Sequence, residues 1–244
     1  MFRKGWIGIL LTLVLLFHSS WGQAQTYTPK AGETLRYKLV VKSVIHGADQ
    51  TVKVVGRETY RNQDVFRIRA QMNSVGIVHK LYSYSETEEA LLDADGLYPL
   101  WIRRKVHEKD SVETEEVFFD YQRGVAVRLV AENGRPAERS EIKLPGHVYH
   151  GLSLQYYLRK KAEDPRPGKL YFYSNGKIKE VTYRAASGHR EPLTLESGTY
   201  SDYIQLVSDD ITVVIAANDE KYPLIIRKMA KFGKVEARLV SIAP

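Results

Sequence analysis

Apolar and polar residues alternate with a period of two along most of this chain, and that alternation predicts strands separated by short turns. Leu35, Tyr37, Leu39 and Val41 share one side of the first predicted strand, with Arg36, Lys38 and Lys42 on the other. Gly47-Ala48-Asp49-Gln50 reads as a turn into a strand over residues 51–60. After Arg61-Asn62-Gln63-Asp64, residues 65–72 alternate most cleanly, with Phe66, Ile68, Ala70 and Met72 inward and Arg67, Arg69 and Gln71 outward. One face of such a strand lies on a core and the other is wet.

The pattern predicts further strands over 77–85, 90–93, 97–106, 115–121 and 125–130, with turns at Asp95-Gly96, Arg123-Gly124 and Glu132-Asn133-Gly134. It resumes over 169–173, 177–184, 199–207, 211–217, 224–229 and 234–242, and Asn175-Gly176 between apolar runs is a strong hairpin signal. Connections this short imply antiparallel neighbours, because a parallel crossover needs a dozen or more residues. Residues 147–161 break the alternation. Val148, Leu152, Gln155, Tyr156 and Leu158 fit helical spacing, and Pro165, Pro167 and Gly168 end it. About a dozen strands exceed what a flat open sheet holds, so the sheet must curl, split or close. The expected fold is all-β and mainly antiparallel, a barrel or half-barrel with one short helix near 147–161 across an opening. Two packed sheets are the alternative.

The N-terminus changes the picture. Arg3 and Lys4, an apolar run from Gly5 to Phe17 and the small-residue end Gly22-Gln23-Ala24 have the order of a secretory leader. The run is shorter than the roughly 20 residues that span a bilayer, so cleavage near Ala24 is expected, leaving one β-rich domain over 25–244 in the periplasm or secreted. With 36 basic residues less Arg3 and Lys4 against 29 acidic ones, the remaining formal charge is about +5. The chain has no cysteine, which excludes a disulfide framework, a thiolate metal site, a catalytic thiol and a lipid-modified cysteine. No glycine-rich strand-to-helix turn is present, so dinucleotide and P-loop chemistry is not expected. Nor is any cofactor or nucleic-acid partner, and membrane contact is expected to be peripheral at most.

Candidate chemistry is sparse. Ser153 in Gly151-Leu152-Ser153-Leu154-Gln155 approximates a serine-hydrolase elbow, but Gln155 replaces the second glycine. His147 and His150 have the spacing to share a helical face, without the third ligand a metal site needs. Glu86, Glu88, Glu89 and Glu113, Glu115, Glu116 offer carboxylate pairs of the kind glycosidases use, and solvent-facing strand positions account for them equally well. Arg36, Lys38, Lys42, Arg67, Arg69, Lys80 and Arg103 lie on polar strand faces, where neighbours can gather them into an anion-binding patch. Of these, Arg36, Lys38, Arg67, Arg69 and Arg103, with Tyr156 as an aromatic neighbour, are the candidate ligand-binding residues.

An ordered set of motifs carries a family resemblance: Ala31-Gly32-Glu33-Thr34-Leu35-Arg36-Tyr37, Asp95-Gly96-Leu97-Tyr98-Pro99, Phe119-Asp120-Tyr121, Leu152-Ser153-Leu154-Gln155-Tyr156-Tyr157-Leu158-Arg159, Tyr222-Pro223-Leu224-Ile225-Ile226 and Gly233-Lys234-Val235-Glu236-Ala237-Arg238-Leu239. Together these resemble the exported bacterial proteins of domain of unknown function 3108. The resemblance implies a periplasmic β-rich fold without an assigned reaction or cofactor. At the level of shape it is similar to the half-barrels of lipoprotein carriers. The leading functional expectation is a non-enzymatic binding or envelope-assembly protein that accepts an amphiphile or glycolipid on a concave β surface. A module that pairs with an envelope protein through a sheet edge comes second, and a hydrolase third.

Overall fold

The computed structural model describes residues 27–42, 44–186, 191–230 and 233–244, so the expected leader lies outside the described residues. The chain opens on β1 (Thr34–Val41), β2 (Ile45–Tyr60) and β3 (Gln63–Ser74), passes through a short helix α1 (Gly76–Leu81), and continues as β4 (Tyr84–Asp93) and β5 (Pro99–Glu108). Then come β6 (Ser111–Asp120), β7 (Val125–Glu132), β8 (Glu138–Lys143), a two-residue β9 (Val148–Tyr149) and the main helix α2 (Gly151–Lys161). The hairpin β10 (Gly168–Ser174) and β11 (Lys177–Ala185) follows, then a small ribbon of β12 (Leu193–Leu195) and β13 (Gly198–Tyr200). Strands β14 (Tyr203–Val207), β15 (Ile211–Ala216), β16 (Pro223–Ala230) and β17 (Gly233–Ala243) complete the chain.

Fifteen strands form one sheet in the order β8-β7-β6-β5-β4-β3-β2-β1-β17-β16-β15-β14-β11-β10-β9. The first and last strands meet in the middle, Thr34 opposite Ala243 and Val41 opposite Val235. Among the described residues only β9 and β10 run parallel. The sheet is therefore a meander that begins and ends at its own centre. Its outer edges, β8 and β9, are not bonded to each other, so the sheet curls without closing. Residues 144–147 join those edges, and at the reach of extended chain they lie within about 18 Å of each other there.

The curl is visible in the contacts. Phe119 on β6 meets Tyr173 on β10 edge-on with ring centroids 5.6 Å apart, although eleven steps of the strand order separate those two strands. Side chains from strands that distant meet only on the inside of a curve. The inner face holds one cluster that includes Leu35, Val54, Ile68, Ala90, Val117, Val214, Leu224 and Leu239, and α2 adds Leu152 and Tyr156 to it. A second cluster joins Leu158 and Ala162 to Leu170, Tyr183, Leu206, Val213 and Ile215. Helix α2 is thus packed against the concave face, with Leu152 contributing about 1.5–3 kcal/mol by burial.

Several sequence expectations change here. The helix begins at Gly151, because His150 is its N-cap in extended conformation and residues 148–149 form a strand edge. His147 and His150 therefore share no helical face. Residues 77–85 open as α1 rather than a strand, and residues 47–50 lie within β2. Strand β8 was hidden because Glu138, Arg139, Ser140 and Glu141 show no apolar face. The Asn175-Gly176 hairpin holds as expected, with φ of +48° and +74°, whereas the turn expected over residues 61–64 narrows to Arg61 and Asn62, at +49° and +63°.

Candidate functional site

Strands β2 to β5 place their outward residues in two cross-strand rows. Lys53 faces Arg69, Arg69 faces Glu89 and Glu89 faces Arg103. In the next row Thr51, Gln71, Thr87 and Lys105 face one another in turn. The intervening residues Val52, Ile68, Ala70, Ala90 and Ile102 are buried in the core, so alternation forces the charged set outward. Together with Glu88 these rows line a groove of about 500 Å³. Four cations meet one outward carboxylate, Glu89, in it, because Glu88 turns its side chain inward to His150. Arg69 Nε is bound to Glu89 at 3.0 Å, whereas Lys53, Arg103 and Lys105 have no ion-pair partner among the described residues. Lys53 directly opposite Arg69 is a like-charge pair, which destabilises a sheet unless an anion lies between.

Of the residues singled out from sequence, Arg69 and Arg103 line this groove, and Lys53 and Lys105 were missed. Arg36 lies on the same face, opposite Thr51 on the neighbouring strand. Arg67 also points outward, but Glu58 holds it at 2.5 and 2.8 Å and Glu89 pairs with it as well. That guanidinium keeps the Glu58 carboxyl below the usual carboxylate range. Lys38 is bound to Glu196 at 2.6 Å. Lys42 and Lys80 lie beyond the groove, on the β1–β2 turn and on α1. Tyr156 is fully buried on α2, on the opposite side of the sheet, and cannot join the basic set.

The inner face carries a second polar constellation that sequence reasoning assigned to solvent. Glu115 is 3% exposed and accepts hydrogen bonds from Arg128 Nε at 2.6 Å and the Tyr173 hydroxyl at 2.7 Å. Burial, then the Glu115 carboxylate, pushes the Tyr173 hydroxyl up, so it stays a donor. Arg104 donates to Glu86 at 2.7 Å and to the Tyr84 hydroxyl at 3.1 Å. Burial works against its charge, but Glu86 outweighs that and holds it protonated. Arg104 and Arg128 line an opening of about 570 Å³ with Tyr84, Glu113, Glu132 and Asn175. The clue was in the sequence: Glu113 and Glu115 are in phase with the core residues Val117 and Phe119 on the same strand.

Deeper in, Ser153 Oγ lies 3.0 Å from His150 Nδ1, and His150 Nε2 lies 3.0 Å from Glu88 Oε1, a contact off the ring N–H direction. This has the order of a hydrolytic relay. Ser153 is fully buried and its Oγ accepts the His150 backbone N–H at 2.8 Å, forming a capping box at the start of α2. His147 stacks on Tyr98 with centroids 3.9 Å apart. Among the described residues no group of three or more His, Asp or Glu side chains is placed to hold a metal ion. A small apolar pocket of about 30 Å³ lies beside Leu154, Leu158, Leu170 and Phe172, on the side of β10 away from Tyr173, and is far too small for an acyl chain.

Comparison with known proteins follows from this geometry. A family model described as a protein of unknown function (DUF3108) matches residues 34–240, from the first residue of β1 into the last strand. The chain belongs to the DUF3108 family. The outer groove, the inner opening and α2 all fall within the family region. A β-barrel-like protein of DUF1849 from Brucella abortus superimposes with a TM-score of 0.55 at 10% identity, over 89% of this chain and 99% of that one. A Bacteroides fragilis protein with a YmcC-like fold aligns at a TM-score of 0.36 and 7% identity, over 90% and 99% of the two chains. No curated protein matches the chain. The first likeness shows a β-barrel-like fold, the second is too slight to add to it, and no catalytic family is indicated.

Proposed function

We propose that this DUF3108 chain is an exported, non-enzymatic binding protein of the cell envelope, and that its ligand is an anionic glycan or glycolipid head group held on the outer face of β2–β5. The observation that supports this reading is the groove in which Lys53, Arg103 and Lys105 have no ion-pair partner among the described residues. By contrast, both arginines of the inner opening are already paired with carboxylates. At a strand spacing of about 4.8 Å, Lys53 and Arg103 are three strands and roughly 14 Å apart. That span matches two anionic groups on an oligosaccharide better than a single phosphate. Hydroxyl and amide groups of Thr51, Gln71 and Thr87 in the adjoining row suit sugar hydroxyls.

The ligand on this reading lies on the convex side. The concave side, where an amphiphile was expected, holds α2 and aromatic side chains beside the polar opening lined by Arg104 and Arg128. Pairing through a sheet edge has less support: β9 is two residues long, and β8 carries the charges Glu138, Arg139, Glu141 and Lys143 that discourage strand addition.

Titration calorimetry with a bis-phosphorylated glucosamine disaccharide tests the groove. Binding that weakens steeply with salt and disappears in a Lys53→Ala, Arg103→Ala, Lys105→Ala variant supports the reading, and unchanged binding in that variant refutes it. N-terminal sequencing of the exported protein tests the compartment, with a start near Gln25 expected.

A further inference from the structure

The tips of adjacent strands at one end of the sheet expose large apolar side chains. In α1 no side chain is buried, and Ile77 and Leu81, one helical turn apart, are 65% and 77% exposed. Val44 on the neighbouring β1–β2 turn is 81% exposed, with Ile45 and Tyr82 at 40% each. These segments touch: the Val75 N–H donates to Gly47 O at 3.0 Å, and the Lys109 backbone N–H on the β5–β6 turn donates to Ser83 O at 2.9 Å. On the other side, the Lys42 N–H donates to Lys234 O at 2.8 Å, bringing in the adjoining ends of β16 and β17, where Met229 on β16 is 62% exposed. A six-residue helix has little intrinsic stability in water, and one that shows Ile and Leu to solvent serves no purpose in the core.

We propose that this end of the sheet docks onto an anionic lipid surface. Charge identifies the occupant. Lys42, Lys80, Lys109, Lys228 and Lys234 surround the apolar tips. The nearby carboxylates include Asp49, held by His46 at 2.6 Å, Asp210, paired with Lys179, and Glu236, shared by three cations, which leaves Glu108, Asp110 and Asp209 against the lysines. Lysines around exposed aliphatic and tyrosine side chains are the pattern of a surface that enters the head-group layer, with apolar groups at the acyl boundary and ammonium groups at phosphate level. A second copy of the chain would bring lysines against lysines. The docking end is distinct from the outer groove, and its validity does not depend on a ligand there.

The test uses the exported protein, its N-terminus verified by sequencing, in co-sedimentation with vesicles of phosphatidylcholine with and without phosphatidylglycerol. Binding should require phosphatidylglycerol, weaken with salt, and fall about tenfold in an Ile77→Ser, Leu81→Ser variant whose thermal midpoint matches the parent. The Lys53→Ala, Arg103→Ala, Lys105→Ala variant should still bind vesicles, which separates failure of the groove reading from failure of this one. Absence of vesicle binding, equal binding by the Ile77/Leu81 variant, or a dimer that this variant dissociates would overturn the proposal.

Discussion

Arg159 on α2 forms a two-pronged pair with Glu33, Nη1 to Oε1 at 2.5 Å and Nη2 to Oε2 at 2.8 Å, across 126 residues of chain. Both side chains are almost completely buried, at 1% and 5% exposure. The guanidinium also donates to Glu220 O at 2.7 Å and lies over the Tyr27 ring at 4.3 Å. The pair fastens the helix to the chain entering β1 and to the turn before β16.

Removing one partner leaves a buried charge without its counterion. Arg159→Ala should cost about 3–5 kcal/mol in urea denaturation, whereas Glu33→Leu combined with Arg159→Met should recover most of that loss. If the single substitution costs less than about 1 kcal/mol, the pair is not what holds α2 in place.

Glu236 predicts an acid-sensitive component of stability. Burial pushes its carboxyl up, but hydrogen bonds from Arg238, Lys234 and Arg227 outweigh burial and lower it to about 2. A folded value below the unfolded one gives stability that is present above about pH 4.5 and lost as pH falls toward 2. The contribution is about 3 kcal/mol, so Glu236→Gln should flatten the stability-versus-pH curve in that window. An unchanged slope would show that the three cations do not act on Glu236 in solution.

The capping box at α2 predicts a modest, local effect. Ser153→Ala removes the acceptor of the His150 N–H and should cost about 1 kcal/mol, with amide exchange accelerated in the first turn of the helix. Exchange that quickens uniformly over the protein would point to a core packing role instead.

Across the interior, Tyr173 and Glu115 tie β10 to β6. Tyr173→Phe should cost about 1–3 kcal/mol because the buried carboxylate loses a donor. A double-mutant cycle with Glu115→Gln should show coupling of about 0.5–3 kcal/mol. Additive effects would mean that the two residues act independently.

Which residues share a face was largely legible from sequence. Phe66, Ile68 and Ala70 point inward and Arg67, Arg69 and Gln71 do not, as the alternation required. The error at Glu115 came from chemistry overriding phase: a glutamate was assigned to water although it alternates with Val117 and Phe119. Half of the outer groove was found because Arg69 and Arg103 lie in cleanly alternating strands. Lys53 and Lys105 have the same phase and went unnoticed because no sequence rule says that β2 and β5 flank β3 and β4 at matching register.

The sequence by itself determined the strand-rich class, the two-residue hairpins and the inward or outward direction of most side chains, because backbone pleat and turn preferences act over a few residues. Only the tertiary structure decided that β1 pairs with β17, that α2 fills the concave face, and that Arg159 meets Glu33. Those contacts depend on the twist and bulges accumulated over fifteen strands. Alternation reports which side a residue takes, and curvature decides what it finds there.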